Sequence, residues 1–329
     1  MKPSLRLSPK RLLLAATAAF GAIAVAAIPT AALFAQGQPA IAPYTVVETG
    51  QSFTRLQQAV DAIGDRQGSI AIAPGTHRDC AVQTQGFISY LASQPGTAVF
   101  DGTTCEGKAA LVLRGRGADI SGLVFQNMNV ADFNGAGVRL EKGDLTVAQS
   151  WFRDSQQGIL SAADAQGTIV IDRSTFTRLG TCEGAGGCAH SIYIGDYGHL
   201  RVTRSRFEQG RGGHYVKSRA GQVEVASCSF DDARGKGTNY MIDLPGGAVG
   251  QISNNWFVQG QDKENYSAFI AVSAEGHDHS SNGLVITGND ARLAPGVSRN
   301  TVFVADWSGD QLALGENALG PGLKRFEKR

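Results

Sequence analysis

A right-handed parallel β-helix of about 8–10 coils, with a short helix over its N-terminal end, is the fold class that this sequence predicts. Three observations support the prediction. A short pattern of aliphatic, small polar and large apolar residues recurs along the chain. The 42 glycines are dispersed at turns, and only 10 prolines occur. Aliphatic residues alternate along short segments, as in Leu200-Arg201-Val202, which is typical of strands with one buried side.

The repeat is an aliphatic residue, a small or polar residue three positions later, and a large apolar residue two after that. Its eight copies are Ile120-Leu123-Phe125, Val147-Ser150-Phe152, Ile171-Ser174-Phe176, Val202-Ser205-Phe207, Val225-Cys228-Phe230, Ile252-Asn255-Phe257, Ile286-Asn289-Ala291 and Leu314-Asn317-Leu319. Each copy indicates one coil of a solenoid, which cannot bury its apolar face alone. The irregular spacing indicates that loops absorb the differences in length. We expect the phenylalanines to stack inside and the small polar residues to form a hydrogen-bonded ladder.

The N-terminal part of the chain predicts a cap. Phe53, Leu56, Val60 and Ile63 have the spacing of one amphipathic helix. A strand over 69–73 follows and ends in Pro-Gly-Thr. A parallel β-helix has open strand edges at its ends that must be covered. We therefore expect residues of about 44–68 to cover the first coil.

The helix, the Pro-Gly-Thr strand and the repeats with Asn, Ser and Phe columns resemble the pectin-lyase-like superfamily of right-handed parallel β-helices. The resemblance covers residues of about 44–320. It implies one β-helix domain over 36–329, with a short tail at about 321–329. The superfamily includes polysaccharide lyases, glycoside hydrolases, uronate epimerases and proteins that only bind, so the resemblance leaves the activity open. The hydrolase elements Asn-Thr-Asp and His-Gly and the pectate-lyase element Arg-x-Pro-x-x-Arg are missing, so no catalytic residue is carried over by motif.

Residues 1–35 have the composition of a signal peptide. A basic beginning precedes an apolar stretch over 12–27, and Ala35 is the preferred cleavage position. An uncleaved membrane anchor is the alternative. Without this segment the chain has 26 Lys+Arg and 29 Asp+Glu, a net charge of −3, which argues against nucleic-acid binding. We expect a periplasmic or secreted protein that is not inserted in a membrane after signal removal.

Five cysteines in an exported chain favour disulfides. Cys182 and Cys188 flank a glycine-rich loop and are expected to pair. Cys80 and Cys105 are one repeat apart, so they are expected to pair between adjacent coils. Cys228 occupies a repeat position and is expected to be a buried free thiol.

Comparison of the second strand of successive coils predicts a site. If Ile192, Val216, Ile242 and Ile270 all face inward, Tyr193, Lys217, Asp243 and Ala271 stack on the outer face. Arg219 joins them, because residues two apart on a strand share a face. A register shifted by one residue breaks this constellation. The alternative is a structural Lys217–Asp243 pair on a solvated face.

These residue types suit an acidic, uronate-containing polysaccharide. Arg219 beside a sugar carboxylate neutralises it and acidifies the neighbouring C–H. Lys217 with a depressed pKa takes the proton, and Tyr193 or His214 protonates the leaving oxygen, which gives lyase or epimerase chemistry. We expect an exposed Lys217–Arg219 pair whose replacement leaves folding nearly intact. Asp243 completes the catalytic set.

Substrate-binding residues are expected around this set: His190, Tyr215, Arg211 and Glu275. The basic stretch 201–219, with six Lys or Arg and one acid, supports an acidic partner. Two alternative functions remain: a non-catalytic binding or surface-structural protein, and a glycoside hydrolase using Asp243 with Asp196 or Glu275. No cofactor or metal is expected. Calcium is a question for this superfamily, but no carboxylate cluster marks a site, and the segment 277–279 is more consistent with a loop than a metal site.

Overall fold

The computed structural model describes residues 42–329, so the predicted signal segment 1–35 lies outside the described part of the chain. Three sheets wind around one core as a right-handed parallel β-helix. Sheet 1 has 12 strands, and sheets 2 and 3 have ten each. The predicted fold class is therefore confirmed, and the strand count agrees with the predicted number of coils.

Sheet 1 begins with three strands in antiparallel pairing and continues as parallel strands. Its strands are Tyr44–Val46, Ser52–Phe53, Gln67–Ile72, Phe87–Ala92, Gly117–Ser121, Asp144–Ala148, Asp164–Asp172, Tyr197–Thr203, Gln222–Ala226, Val249–Ser253, Val285–Thr287 and Ala313–Leu314. The aliphatic residue of each repeat lies on this sheet and points into the core.

Sheets 2 and 3 complete each coil. The strands of sheet 2 are Gly75–His77, Ala98–Asp101, Leu123–Gln126, Trp151–Arg153, Thr175–Thr177, Arg206–Glu208, Ser229–Asp231, Trp256–Gln259, Asp290–Leu293 and Ala318–Leu319. The strands of sheet 3 are Ala81–Gln83, Ala109–Leu113, Ala136–Leu140, Gln157–Ser161, Ile192–Ile194, Val216–Ser218, Ile242–Leu244, Ala268–Val272, Thr301–Asp306 and Leu323–Lys328. The last of these lies within the segment expected to be a tail.

The phenylalanines of the repeat form the predicted internal stack on sheet 2. Adjacent ring centroids from Phe125 to Phe257 are 4.8–5.0 Å apart, with nearly parallel planes. Phe100 extends the stack by one coil, at 5.5 Å from Phe125. These rings are fully buried, so the stack supplies much of the apolar core.

The small polar residues of the repeat form the predicted ladder at the turn from sheet 1 to sheet 2. The Asn255 side-chain amide donates to Asn289 Oδ1 at 3.0 Å, and that of Asn289 donates to Asn317 Oδ1 at 2.8 Å. Serine hydroxyls accept backbone N–H bonds from the preceding coil at corresponding positions. From Ser150 to Asn289, the residue before the ladder position has a positive φ, as at Gln149 (49°) and Arg204 (50°), which makes the turn tight.

The predicted cap is present as the helix Leu56–Ile63, which buries Leu56, Ala59, Val60 and Ile63 against the core. Phe53, expected on the same helix, lies instead on the strand Ser52–Phe53. The Gln57 side chain exchanges two hydrogen bonds with the backbone of Val82, at 2.8 and 3.0 Å. These bonds satisfy an edge strand of sheet 3 that otherwise faces outward, which is the role expected of a cap.

Both predicted disulfides are present, Cys80–Cys105 and Cys182–Cys188. Cys228 is a buried free thiol, as predicted. Burial raises the pKa of Cys228 to about 12, so the thiol stays protonated and has a structural role. No helix among residues 42–329 is long and apolar enough to cross a membrane.

Candidate functional site

The predicted strand alignment on sheet 3 is confirmed. Ile192 pairs with Val216 and Val216 with Ile242, which places Tyr193 beside Lys217 and Lys217 beside Asp243. The aliphatic residues of these strands are buried in the core. A register shifted by one residue would place charged side chains in this apolar interior, so it is excluded. The chemistry-bearing residues are thereby fixed on the outer face of three neighbouring coils.

A cavity of about 830 Å³ lies over this face. His190, Tyr193, His214, Lys217 and Arg219 form its floor. Its walls consist of residues 131–134, residues 185–188 within the Cys182–Cys188 loop, and three single residues from later coils, of which Glu275 was expected. The last group consists of Asn239, Glu264 and Glu275.

A chain of ion pairs crosses the cavity floor. The Lys217 ammonium lies 3.3 Å from Asp243 Oδ2 and 2.5 Å from Glu275 Oε1. The other oxygen of Glu275 contacts the Arg219 guanidinium. Arg219 Nε also donates to the Tyr193 hydroxyl at 3.2 Å. Glu275 therefore bridges two cations with one carboxylate, and it does so from a loop, with its side chain 44% exposed.

The expectation of a depressed pKa for Lys217 is wrong. Burial lowers the pKa of Lys217, but the neighbouring charges of Asp243 and Glu275 outweigh burial and raise it above its ordinary value. The expectation of an exposed Lys–Arg pair is also wrong for the lysine, which is only 8% exposed. Asp243 and Glu275 thus favour the protonated form of Lys217.

The pKa values of the two carboxylates beside Lys217 are shifted in opposite directions. Asp243 is 2% exposed, and its Oδ1 has no hydrogen-bond partner among the described residues. Burial raises the pKa of Asp243 to about 6, against the opposing charge of Lys217. Burial also raises the pKa of Glu275, but Lys217 and Arg219 reverse this and hold it below its ordinary value. Asp243 lies behind Lys217 and does not line the cavity.

His190 and His214 stack on each other in the floor, with ring centroids 4.8 Å apart. The His214 backbone N–H donates to His190 Nδ1 at 3.0 Å, so this nitrogen is unprotonated. Burial lowers the pKa of His190 to about 3, with a smaller effect from Lys217, and burial likewise holds the pKa of His214 well below its ordinary value. Both imidazoles are therefore neutral near pH 7. His214 Nε2 lies 3.6 Å from Asp243 Oδ2.

The structure does not bring Tyr215 or Arg211 to the cavity. Tyr215 is 1% exposed, and its hydroxyl donates to the buried Asp232 Oδ1 at 2.7 Å. It precedes the strand Val216–Ser218, so strand alternation does not apply to it. Arg211 pairs with Asp154 at 3.3 Å, outside the cavity.

The basic stretch 201–219 does not form a free cationic surface. Arg201 pairs with Glu224 at 3.2 Å, Arg204 with Asp172 at 2.7 Å, and Arg206 with Glu208 at 2.6 Å. Glu224 and Asp172 come from neighbouring coils and therefore lie outside the counted stretch, whereas Glu208 is the one acid within it.

The segment 275–279 closes one side of the site. His279 Nε2 lies 3.0 Å from Asp196 Oδ1, and His277 Nε2 lies 3.3 Å from Asp310 Oδ2. Of the partners named for the hydrolase alternative, Glu275 lines the cavity and Asp196 does not. Among residues 42–329, no group of three or more His, Cys, Asp or Glu side chains is placed to hold a metal ion.

A signal for part of the missed wall is present in the sequence. Asn239 precedes its strand at the turn where His190 and His214 precede theirs. The buried Asp232–Lys263 ion pair, at 3.1 Å, supports the adjoining loops, and Lys263 also donates to the Asn239 carbonyl. The loop 131–134 carries no comparable signal, because it lies between two copies of the repeat and outside its pattern.

No protein-family model matches this sequence, and no curated protein is similar to it. Solved structures with a similar fold include the open reading frame 18 protein of Geobacillus virus E2, at 15% identity and a TM-score of 0.45, covering 83% of this chain and 56% of that one. The pectin methylesterase of Aspergillus niger is 12% identical, with a TM-score of 0.48 and coverage of 88% and 91%.

The tailspike protein of Acinetobacter baumannii bacteriophage Fri1, a capsular polysaccharide depolymerase, is 10% identical, with a TM-score of 0.41 and coverage of 82% and 59%. This chain thus spans little more than half the length of the two viral proteins. At these identities and TM-scores the similarities assign no activity to the chain.

Proposed function

We propose that this chain is a periplasmic or secreted protein that acts on a carboxylated polysaccharide in the cavity over sheet 3. One observation carries the proposal: the Glu275 carboxylate bridges Lys217 and Arg219 on the cavity floor. Two cations are thereby held at the spacing that one carboxylate requires. Because Glu275 comes from an exposed loop, a sugar carboxylate is able to replace it. The two disulfides support an oxidising compartment.

The proposed chemistry is proton abstraction beside the sugar carboxylate. Lys217 and Arg219 hold and neutralise this carboxylate, which stabilises the negative charge that develops when the neighbouring C–H loses its proton. Tyr193, whose hydroxyl accepts a bond from Arg219, is the group that transfers the proton. In elimination the Tyr193 oxygen, as an anion beside Arg219, takes the C–H proton, the C–H electrons form a double bond, and the glycosidic C–O bond breaks. The Tyr193 hydroxyl then returns this proton to the leaving oxygen. In epimerisation no C–O bond breaks: Tyr193 keeps the proton, and a water molecule gives the carbon a proton on the opposite face.

The test compares Arg219→Ala, Glu275→Gln and the control Arg201→Ala. Arg201 is also paired with one glutamate but lies on sheet 1. Binding of polygalacturonate and alginate is measured by calorimetry, and turnover by the ultraviolet absorbance of unsaturated uronate. We expect Arg219→Ala to weaken binding about tenfold or more, since charge-assisted bonds contribute roughly 1.5–3 kcal/mol. Glu275→Gln should strengthen binding by removing the competing carboxylate. Equal binding by Arg219→Ala and Arg201→Ala contradicts the proposal.

Lys217→Ala is a poor test, because it leaves Asp243 buried without its cation. Breaking a buried ion pair in this way costs roughly 3–5 kcal/mol. Lys217→Arg keeps the charge and is the better variant. We expect it to fold and to retain binding, with reduced turnover caused by altered geometry.

A glycoside hydrolase is the second candidate, because the environments of Asp243 and Glu275 push their pKa values apart. Asp243 Oδ2 and Glu275 Oε1 lie 3.3 and 2.5 Å from the same Lys217 Nζ. The two oxygens are therefore within about 6 Å of each other, which suits the short separation of the carboxyl groups in a retaining glycosidase. Burial of Asp243 behind Lys217 argues against it. New reducing ends without ultraviolet absorbance identify this activity, and binding without either product identifies a non-catalytic binding protein.

A further inference from the structure

The outward face of sheet 2 carries two exposed indoles in one column. Trp151 is 37% exposed and Trp256 is 40% exposed, and both lie at the strand position next to the buried phenylalanine stack. Strand pairing connects them through Thr175, Arg206 and Ser229. Four inter-strand steps of about 4.8 Å place the two indoles roughly 19 Å apart along the helix axis.

The Trp151 indole is fixed on the sheet. Its Nε1 donates to Thr177 Oγ1 at 3.1 Å, and the Arg153 guanidinium carbon lies 4.3 Å from the ring centroid. A cavity of about 470 Å³ adjoins the ring and is lined in part by Pro95, Arg173 and Thr175. An immobilised indole beside an open cavity loses little conformational entropy when a ligand stacks on it.

The surface between the indoles is polar but carries little free charge. Thr175 and Ser229 present hydroxyl groups, and Arg206 is paired with Glu208 at 2.6 Å and with Asp231 at 3.7 Å. A flat apolar ring at each end with hydrogen-bonding groups between them matches a chain of pyranose rings, which have apolar C–H faces and polar edges. Exposed indoles commonly mark binding sites because they combine a large apolar area with a polar N–H.

We propose that this face, defined by Trp151 and Trp256, is a second saccharide-binding site, distinct from the cavity on sheet 3. The glycan chain lies along the helix axis, with sugar rings stacked on the two indoles and hydroxyl groups bonded to Thr175, Arg206 and Ser229. Because the arginine is already paired, the site requires no carboxylate on the sugar. It therefore accepts neutral polysaccharide, and it does not depend on the function proposed for the cavity.

The test uses xylan, dextran and polygalacturonate as probes in affinity electrophoresis. The variants are Trp151→Leu, Trp256→Leu and the double variant, because leucine keeps an apolar cover over the neighbouring valines but has no flat ring. Tyr266→Ala is the matched control: Tyr266 is 51% exposed and stacked with Arg299, but it lies off sheet 2. Arg219→Ala reports on the cavity. Trp307 is the third tryptophan of the chain. In a variant that also carries Trp307→Phe, the tryptophan fluorescence therefore comes from Trp151 and Trp256 alone.

We expect xylan or dextran to retard the protein and to shift the fluorescence of its two remaining indoles. Each single variant should lose roughly tenfold in affinity and the double variant more, as is typical of central aromatic contacts. Tyr266→Ala and Arg219→Ala should bind xylan and dextran with the affinity of the unmodified chain. The proposal is overturned if neither neutral polysaccharide binds, if the double variant binds unchanged, or if Arg219→Ala abolishes the retardation and the double variant does not.

Discussion

At the scale of single residues, the site is governed by burial of ionisable groups. Lys217 and Asp243 are close to fully buried, whereas Glu275 and Arg219 reach the solvent. Removing Glu275 leaves Arg219 accessible to solvent and Lys217 still paired with Asp243, so the cost in stability is small. Removing Lys217 leaves a buried carboxylate without its cation. This difference supports the proposal that the exposed loop residue, and not the strand residue, is displaced by a sugar carboxylate.

The neutral histidine His190 predicts a pH dependence of stability. Its pKa is lowered from 6.5 to about 3 in the folded chain, so between these values the unfolded chain binds more protons. The free energy of unfolding then falls as pH decreases below about 6.5, by at most about 1.4 kcal/mol per pH unit for this group. Asp243, whose pKa is raised from 3.8 to about 6, acts in the opposite direction between those values.

His190→Gln isolates the histidine contribution, because the amide oxygen still accepts the His214 backbone bond. We expect urea denaturation of this variant at pH 7, 6 and 5 to show a shallower loss of stability toward acid than the unmodified chain. Identical slopes for the two proteins indicate that His190 does not titrate with unfolding.

At the scale of the elements, each coil is specified by two stacks of side chains: the polar ladder at the turn from sheet 1 to sheet 2, and the phenylalanines on sheet 2. The phenylalanines stack inside sheet 2, and the asparagines and serines satisfy backbone groups at the preceding turn. Both stacks require the same residue spacing in every coil, so neighbouring coils support each other's register.

Phe176→Ala tests the stack near its middle. The ring lies 5.0 Å from Phe152 and 4.8 Å from Phe207 and is fully buried. Its removal should cost about 3–5 kcal/mol, since a cavity forms that the rigid coils cannot close. Gln222→Ala, on the exposed side of sheet 1, should change stability by roughly 0.5 kcal/mol or less. Equal denaturation midpoints for the two variants contradict a major contribution of the phenylalanine stack to stability.

At the scale of the whole molecule, the ends of the solenoid need cover. The helix Leu56–Ile63 covers one end, through Gln57 and its buried apolar face. At the other end, Leu323–Lys328 pairs with Thr301–Asp306 over six residues of sheet 3. Its charged residues suit an edge strand, because exposed charges oppose pairing with another chain.

Deletion of residues 323–328 should therefore promote self-association. It uncovers Thr301–Asp306, a fully buried apolar strand whose backbone groups then face the solvent. Light scattering at increasing protein concentration measures the effect, and Lys324→Glu, which keeps the strand, is the control. A deletion variant that stays as monodisperse as this control shows that the last strand is not a protective edge.

The sequence alone determined the coil. The apolar residues of each strand point either all inward or all outward, and only the inward orientation buries them. It thereby placed Tyr193, Lys217 and Asp243 side by side and gave both disulfides. Only the tertiary structure decided that Glu275 reaches Lys217 from a loop 58 residues away and that Tyr215 points inward. Loops and strand ends lack the period that fixes the strands, so their side chains are positioned by contacts between coils. The protonation of Lys217 followed from those contacts, since it depends on which carboxylates surround the ammonium group.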